Sequence, residues 1–416
     1  MRLSFRLFCR SDPSVPPFSF RVLCLLAGFF SVLPALFYLA AEDFGAGRPY
    51  IFADAACFSC AVHHAFDLGV NPYDPAVQKA CAGAAGRLAT PFFYPPWSLF
   101  PLAVLYPVHD AAAGFVMLAF NLVAWLFVTT ALVSWYLSAR NIPPVVLAVL
   151  GIWLCFSQMA TGNLVYGQVN LPALALLAWF VLAALRGRDS LSALCLAAAI
   201  LLKSHFAAFL VLPLMTGRWR LLSVTTGLLA GAAVSAGWPL WREWLALART
   251  FATPDMGGLL SPDLVLRGNL SLGGLALRFG WPQELVHLAK AVVLGVTLAA
   301  IWRLRRRPED FWRGGFALLM LALYLVSPLT WVSHAAFLLP AVLELALLLV
   351  RVLPSGMRLL AVFPSLAIAM PHDLYPALGG MQAWLPTAMV FAGWILLLRL
   401  ETAEVSAIPG SDRTTP

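Results

Sequence analysis

Apolar residues run along this chain in stretches of about 15 to 25 residues from Arg21 to Arg399, without the alternating segments of a barrel strand. A helix rising about 1.5 Å per residue needs roughly 20 such residues to cross about 30 Å of hydrocarbon. The pattern predicts helical spans near 21–41, 113–137, 144–160, 169–185, 220–240, 286–303, 312–328, 334–351, 357–371 and 383–399. The shorter stretch 97–109 follows a proline cluster and is expected to lie in or dip into the membrane.

Basic residues orient these spans. Arg140, Arg186, Arg188, Arg218, Arg220, the run Arg303 to Arg307, Arg351 and Arg358 sit in short connectors expected to face the cytoplasm. The apolar stretch 189–217 has arginines on both sides, so its two ends belong to one compartment. A re-entrant pair of short helices turning near Leu202, Lys203, Ser204 and His205 resolves this, with the turn lining a cavity. A single span with Lys203 snorkelling or paired to a carboxylate is the alternative.

Composition agrees: 61% of the 416 residues are hydrophobic and 11% charged, and the mean hydropathy is +0.85. These values exclude a soluble globular profile and indicate an all-α polytopic membrane protein. The first apolar run reads as an uncleaved span, since it leads to Glu42 and Asp43 without a small-residue cleavage site. Segment 1–20 is expected in the cytoplasm and 21–400 as one transmembrane domain with outer loops near 42–93 and 241–285. The polar segment 401–416 is expected to be a disordered tail. The net charge of +8 is mostly arginine in the connectors, so no nucleic-acid partner is implied.

The unusual polar residues gather in the opposite set of loops: Asp54, Asn71-Pro72-Tyr73-Asp74-Pro75, Tyr94-Pro95-Pro96, Gly167-Gln168-Val169-Asn170, Gly268-Asn269-Leu270-Ser271-Leu272 and Ser327 through His334. Polar residues beside apolar runs mark working sites in membrane proteins. A site on that face cannot use cytosolic nucleotides, which favours a lipid-linked substrate.

In this order and spacing, together with Lys203 in an apolar run ending at Arg218-Trp219-Arg220, these elements resemble the polyprenyl-phosphate-mannose-dependent mannosyltransferases of glycosyltransferase family 87. The chain departs from the family pattern at Phe58, where Tyr is usual, and at Val332-Ser333. The resemblance implies a GT-C-type helical bundle in the bacterial inner membrane with both termini cytoplasmic. It also implies transfer of a sugar, mannose by that likeness, from a polyprenyl-phosphate donor to a glycan or lipid acceptor hydroxyl, with inversion.

That chemistry needs a carboxylate to take the acceptor proton, and Asp54 is the first candidate, ahead of Glu42 or Asp43. A helix cap or loop ion pair is its structural alternative. The departing phosphate gains charge, so Lys203, His334 and Arg267 are candidate phosphate ligands, with His205 ambiguous. Gln168, Asn170 and Asn269 offer amides to sugar or acceptor hydroxyls, although Asn170 also suits a helix cap. Tyr73, Tyr94 and Trp331 offer faces for sugar stacking, and Trp97 a similar one, although aromatics also anchor at membrane interfaces.

Of seven cysteines, Cys57 and Cys60 precede His63 and His64, which raises zinc or redox work. The spacing lacks a second ligand pair, and Cys81 offers a disulfide partner. Nothing visible requires a metal or another cofactor: no phosphate-cradling glycine loop or DxD-type carboxylate pair is present. A lipid or solute transporter, or a non-catalytic membrane binding protein, is the alternative function. No internal repeat of the transporter kind is apparent.

Overall fold

The structure is a computed structural model that describes residues 18–33, 35–36, 52–84, 92–108, 110–138, 142–157, 159–250, 268–369, 371, 381 and 384–406, and among them it is all helical. Among the described residues, five helices are long and apolar enough to cross a membrane: Ala112–Leu132, Trp219–Ala236, Gln283–Leu304, Ser333–Val352 and Leu385–Ala403. Of the other expected spans, 312–328 falls on the 19-residue helix Pro308–Val326, and the rest coincide with shorter or interrupted helices. The chain is an integral membrane protein, and its fold is the all-α polytopic bundle that the apolar pattern predicts.

In chain order, α1 is Phe18–Phe30, α2 Ala53–Phe66, α3 Pro75–Ala84 and α4 Pro96–Leu105. Helix α5, Asp110–Phe127, continues through a π-helical turn, Val128–Leu132, into Val133–Ser138. Then come α6 Pro144–Phe156, α7 Thr161–Tyr166, α8 Asn170–Leu185, α9 Asp189–Leu202 and α10 Ser204–Met215. Helices α11 Trp219–Ala236, α12 Trp238–Thr250, α13 Leu272–Phe279, α14 Gln283–Leu304 and α15 Pro308–Val326 follow. A 3-10 segment, Val332–Leu338, leads into α16 Leu339–Val352, before α17 Ser355–Ala367 and α18 Leu385–Ser406.

The path of the chain separates two ends. Helix α8 carries Asn170 about 24 Å from Arg186. Helix α9 turns back beside it: the Ser192 hydroxyl donates to the Phe180 carbonyl at 2.9 Å. These two residues are equidistant from the intervening turn, so the pairing sets Lys203 level with Val169. At Lys203 the backbone becomes extended (φ −145°, ψ 105°) and the helix stops. Helix α10 then returns, because Arg218 reaches Asp189 at 3.0 Å and also donates to the Ala184 carbonyl. The stretch 189–217 therefore leaves and re-enters at one end, as its flanking arginines predict. Its turn carries Lys203 to the other end, where 166–170 and 327–334 also lie.

At the arginine end, a buried ionic network joins the last helices. Arg313 donates to Glu344 at 2.5 Å and to Asp310 at 2.6 Å, and Asp310 also faces Arg351 at 3.5 Å. The Tyr136 hydroxyl donates to the Arg313 carbonyl at 3.1 Å. Glu401 is buried where Gly314 leaves it room. Helix α18 therefore runs through Ser406, past the tail boundary expected at Glu401, because that carboxylate is held inside the bundle.

At the opposite end, Gly167 ends α7 in the left-handed region (φ 69°), and a Cβ there would stand 2.6 Å from the Cβ of Ala55. The close approach seats α2 on the turn between α7 and α8, where the Phe52 amide also donates to the Val165 carbonyl at 2.7 Å.

Arg313→Met removes the guanidinium paired with buried Glu344, while Asp310 keeps Arg351, and is expected to cost about 3–5 kcal/mol, read as a lowered thermal-unfolding midpoint in detergent. Gly167→Ala meets both the positive φ and the Ala55 side chain. It is expected to lose about 1–2 kcal/mol from backbone strain alone, and hydrogen exchange should rise first in α2 and α7.

Candidate active site

Asp54 lies in the first turn of α2, 8% exposed. Its Oδ2 accepts from the Gln168 side-chain amide at 2.5 Å. Gln168 is itself placed by Asn121, whose amide donates at 2.8 Å to both the Gln168 and Met117 carbonyls. The Asp54 charge acts on Lys203 across the same space. Burial, then Asp54, pushes the Cys57 thiol up, and burial followed by Asp54 and Cys57 does the same for the Tyr94 phenol. This carboxylate faces other polar groups inside the fold.

The competing carboxylates are placed differently. Asp74 accepts from the Ala76 amide at 2.8 Å and starts α3. Asp67 pairs with His63 at 2.6 Å, and that hydrogen bond holds its carboxyl below the usual range. Glu42 and Asp43, like the candidate phosphate ligand Arg267, lie outside the described residues.

Lys203 and His334 meet, Nζ to Nε2, at 3.1 Å. The other ring nitrogen, Nδ1, accepts the Trp331 backbone N–H at 3.0 Å, so a neutral ring carries its proton on Nε2. That proton points at the lysine. Against an ammonium, the contact then presents two donors and no acceptor, since neither Nε2–H nor NH3+ has a lone pair to offer. An uncharged amine would close the pair; an ammonium leaves it open to an anion. Lys203 also lies 5.9 Å from the Tyr94 ring centre. His205 packs among the rings of Phe206 and Phe337, at 4.4 and 6.4 Å.

Two amides hold His334 in place. Asn163 and Asn170 donate to the Ser333 carbonyl at 2.7 and 3.1 Å. Both side chains are fully buried, and their amide oxygens, like those of Gln168 and Asn121, have no hydrogen-bond partner among the described residues. Asn170 therefore does not cap its helix through its side chain; it secures the backbone before the histidine. Asn121 and Asn163 were not anticipated from sequence, although a carboxamide inside an apolar run is itself a signal, because its desolvation must be compensated.

Three residues expected to meet sugar also make scaffolding contacts. The Asn269 amide donates to the Pro328 carbonyl at 2.8 Å and accepts from the Thr330 and Ser271 amides, each at 3.1 Å, which fixes the loop before His334. The Tyr73 hydroxyl donates to the Tyr94 carbonyl at 2.7 Å. Trp331 lies against Gly268, where a Cβ would overlap its ring. Tyr94 itself, edge-on to Phe58 at 5.2 Å, is brought to Lys203. Phe58 thus serves the site by packing.

Cys60 and Cys81 form a disulfide joining α2 to α3, and Cys57 is a free, buried thiol. Cys60, His64 and Cys81 bring ligand atoms within 4.8 Å of one another. Two of these are the bonded sulfurs, which offer no thiolate to a metal.

Comparison with known proteins identifies the family. The chain is 26% identical over 265 residues to the alpha-(1->3)-arabinofuranosyltransferase of Corynebacterium glutamicum, an alignment covering 61% of this chain and 60% of that protein. The profile of glycosyltransferase family 87 matches residues 92–328, a region that holds Tyr94, Gln168, Asn170, Lys203 and Asn269 and accounts for more than half of the sequence. The chain belongs to glycosyltransferase family 87.

Proposed function

We propose that this protein transfers a sugar from a polyprenyl-phosphate donor to an acceptor hydroxyl, with inversion, and that Asp54 is the general base. The observation that carries the reading is the confrontation of the buried Asp54 carboxylate with the Lys203–His334 pair. The acceptor oxygen attacks the anomeric carbon from the side of Asp54, which takes the hydroxyl proton. The bond from that carbon to the phosphate oxygen breaks, and its electron pair leaves with the lipid phosphate. A phosphate oxygen between the Lys203 ammonium and the His334 Nε2–H supplies the acceptor which that pair lacks. Because its charge grows as the bond breaks, both donors hold the transition state more tightly than the ground state. The buried Gln168 amide oxygen, unpartnered among the described residues, suits a sugar or acceptor hydroxyl.

Two features support placing the site at the exoplasmic face of a bacterial inner membrane, with both termini cytoplasmic. A disulfide persists in an oxidising compartment, and Cys60–Cys81 braces the helix that carries Asp54. The arginine-rich connectors lie at the other end of α8, α9 and α15. For the sugar, the motif series favours mannose and the Corynebacterium relative's name favours arabinofuranose. One experiment distinguishes them.

In reconstituted vesicles, polyprenyl-phosphate-mannose and polyprenyl-phosphate-arabinofuranose are offered separately, and label is followed into acceptor. Asp54→Asn retains an oxygen for Gln168 and is expected to lower transfer by about 10²- to 10⁴-fold at matched folding. Undiminished transfer removes Asp54 as base, and label arriving from a sugar nucleotide alone overturns the lipid donor. Lys203→Gln is expected to reduce turnover more than donor affinity; an effect confined to KM would mean that the lysine binds without assisting bond cleavage.

A further inference from the structure

No residue of α12 is buried. This helix follows α11, a span-length apolar helix whose side chains are largely exposed, through a turn at Gly237 (φ 78°). Its inner side is tied down by tryptophans. Trp241 donates to the Ala233 carbonyl at 2.9 Å and meets Trp97 edge-on at 5.2 Å, while Trp244 donates to the Phe93 carbonyl at 3.0 Å. The outer side carries Trp238, Arg242, Leu245 and Arg249 at spacings of four, three and four, which align them on one stripe. Trp238 is 69% exposed and Leu245 42%. Glu243, beside Arg242 at 2.9 Å, is the only carboxylate of the helix.

A stripe of indole, leucine and arginine at the end of a lipid-exposed helix matches the layered chemistry of a bilayer surface. The indole sits among the glycerol esters, leucine dips into the acyl region, and arginine stems extend toward phosphates. We propose that the outer face of α12 docks on the phospholipid headgroup layer, with Trp238 and Leu245 inserted and Arg242 and Arg249 on lipid phosphates. The occupant follows from continuity: α11 presents its apolar sides to lipid, with Val234 82% exposed, and α12 leaves from its end. Through Trp244 and Phe93 the docked helix holds the rim that carries Tyr94 over Lys203. If the proposed lipid donor is used, this anchors the rim at the depth where its phosphate arrives.

The test places p-benzoylphenylalanine at Trp238, Leu245, inward-facing Leu247 or the lipid-exposed control Val234, in full-length protein in vesicles of equal parts phosphatidylcholine and phosphatidylglycerol. Irradiation is expected to give phospholipid adducts at 238, 245 and 234 and none at 247. Adducts of twice the chain mass at 238 and 245 would assign the face to a second copy. Absence of adducts there while 234 reacts overturns docking. Arg242→Glu combined with Arg249→Glu, at an unchanged thermal midpoint, is expected to raise hydrogen exchange across α12 several-fold; unchanged exchange also overturns it. These readouts are independent of sugar transfer, so failure of the donor assignment leaves them interpretable.

Discussion

The carbonyl of Ser333 is the point on which the site depends. Between α15 and α16 the chain passes through Ser327-Pro328 and a 3-10 segment, so several backbone groups lose helical partners where water is scarce. Asn163 and Asn170, from either side of the Gly167 turn, both donate to this one carbonyl. Each leaves its own amide oxygen buried without a partner among the described residues, an arrangement that costs free energy unless position matters more than local satisfaction. What it secures is His334, the next residue. The same turn presents Gln168 to Asp54. One short stretch therefore touches both a carboxylate and the backbone beside one member of a Lys203–His334 pair, groups drawn from three separate parts of the chain.

How much of this could be seen in the sequence follows from the range of each interaction. The re-entrant turn at Lys203 was legible because arginines on both sides of one apolar run impose a constraint that a simple span cannot meet. Asp54, Gln168 and His334 stood out because a polar group beside lipid needs a reason. Asn269 was equally conspicuous, yet its partners Pro328 and Thr330 lie some sixty positions away, and nothing local separates an amide that binds sugar from one that splints a loop. Tyr73 was ambiguous for the same reason. Asn121 and Asn163 were missed because they occur singly within apolar surroundings and form no motif. The choice of Cys81 as partner for Cys60, with Cys57 left free, needed the packing of α2 on α3.

The two ends of the bundle treat buried charge in opposite ways. At the arginine end, Arg313 divides itself between Glu344 and Asp310, and Asp310 is shared further with Arg351. Charges there are matched by charges, which fixes helices and leaves little for a ligand to complete. At the other end, Asp54 is held by a neutral amide, and Lys203 is set against an imidazole whose acceptor nitrogen is already used by Trp331. An ammonium in that position meets no matching charge on the ring, while the Asp54 carboxylate accepts from Gln168. Direct pairing of Asp54 with Lys203 would be the cheaper solution for stability, but it would consume both the proposed base and the proposed phosphate ligand. With Asp54 held on the Gln168 amide and Lys203 set against the His334 ring, the fold suits the proposed site, which an anion and a hydroxyl together would complete.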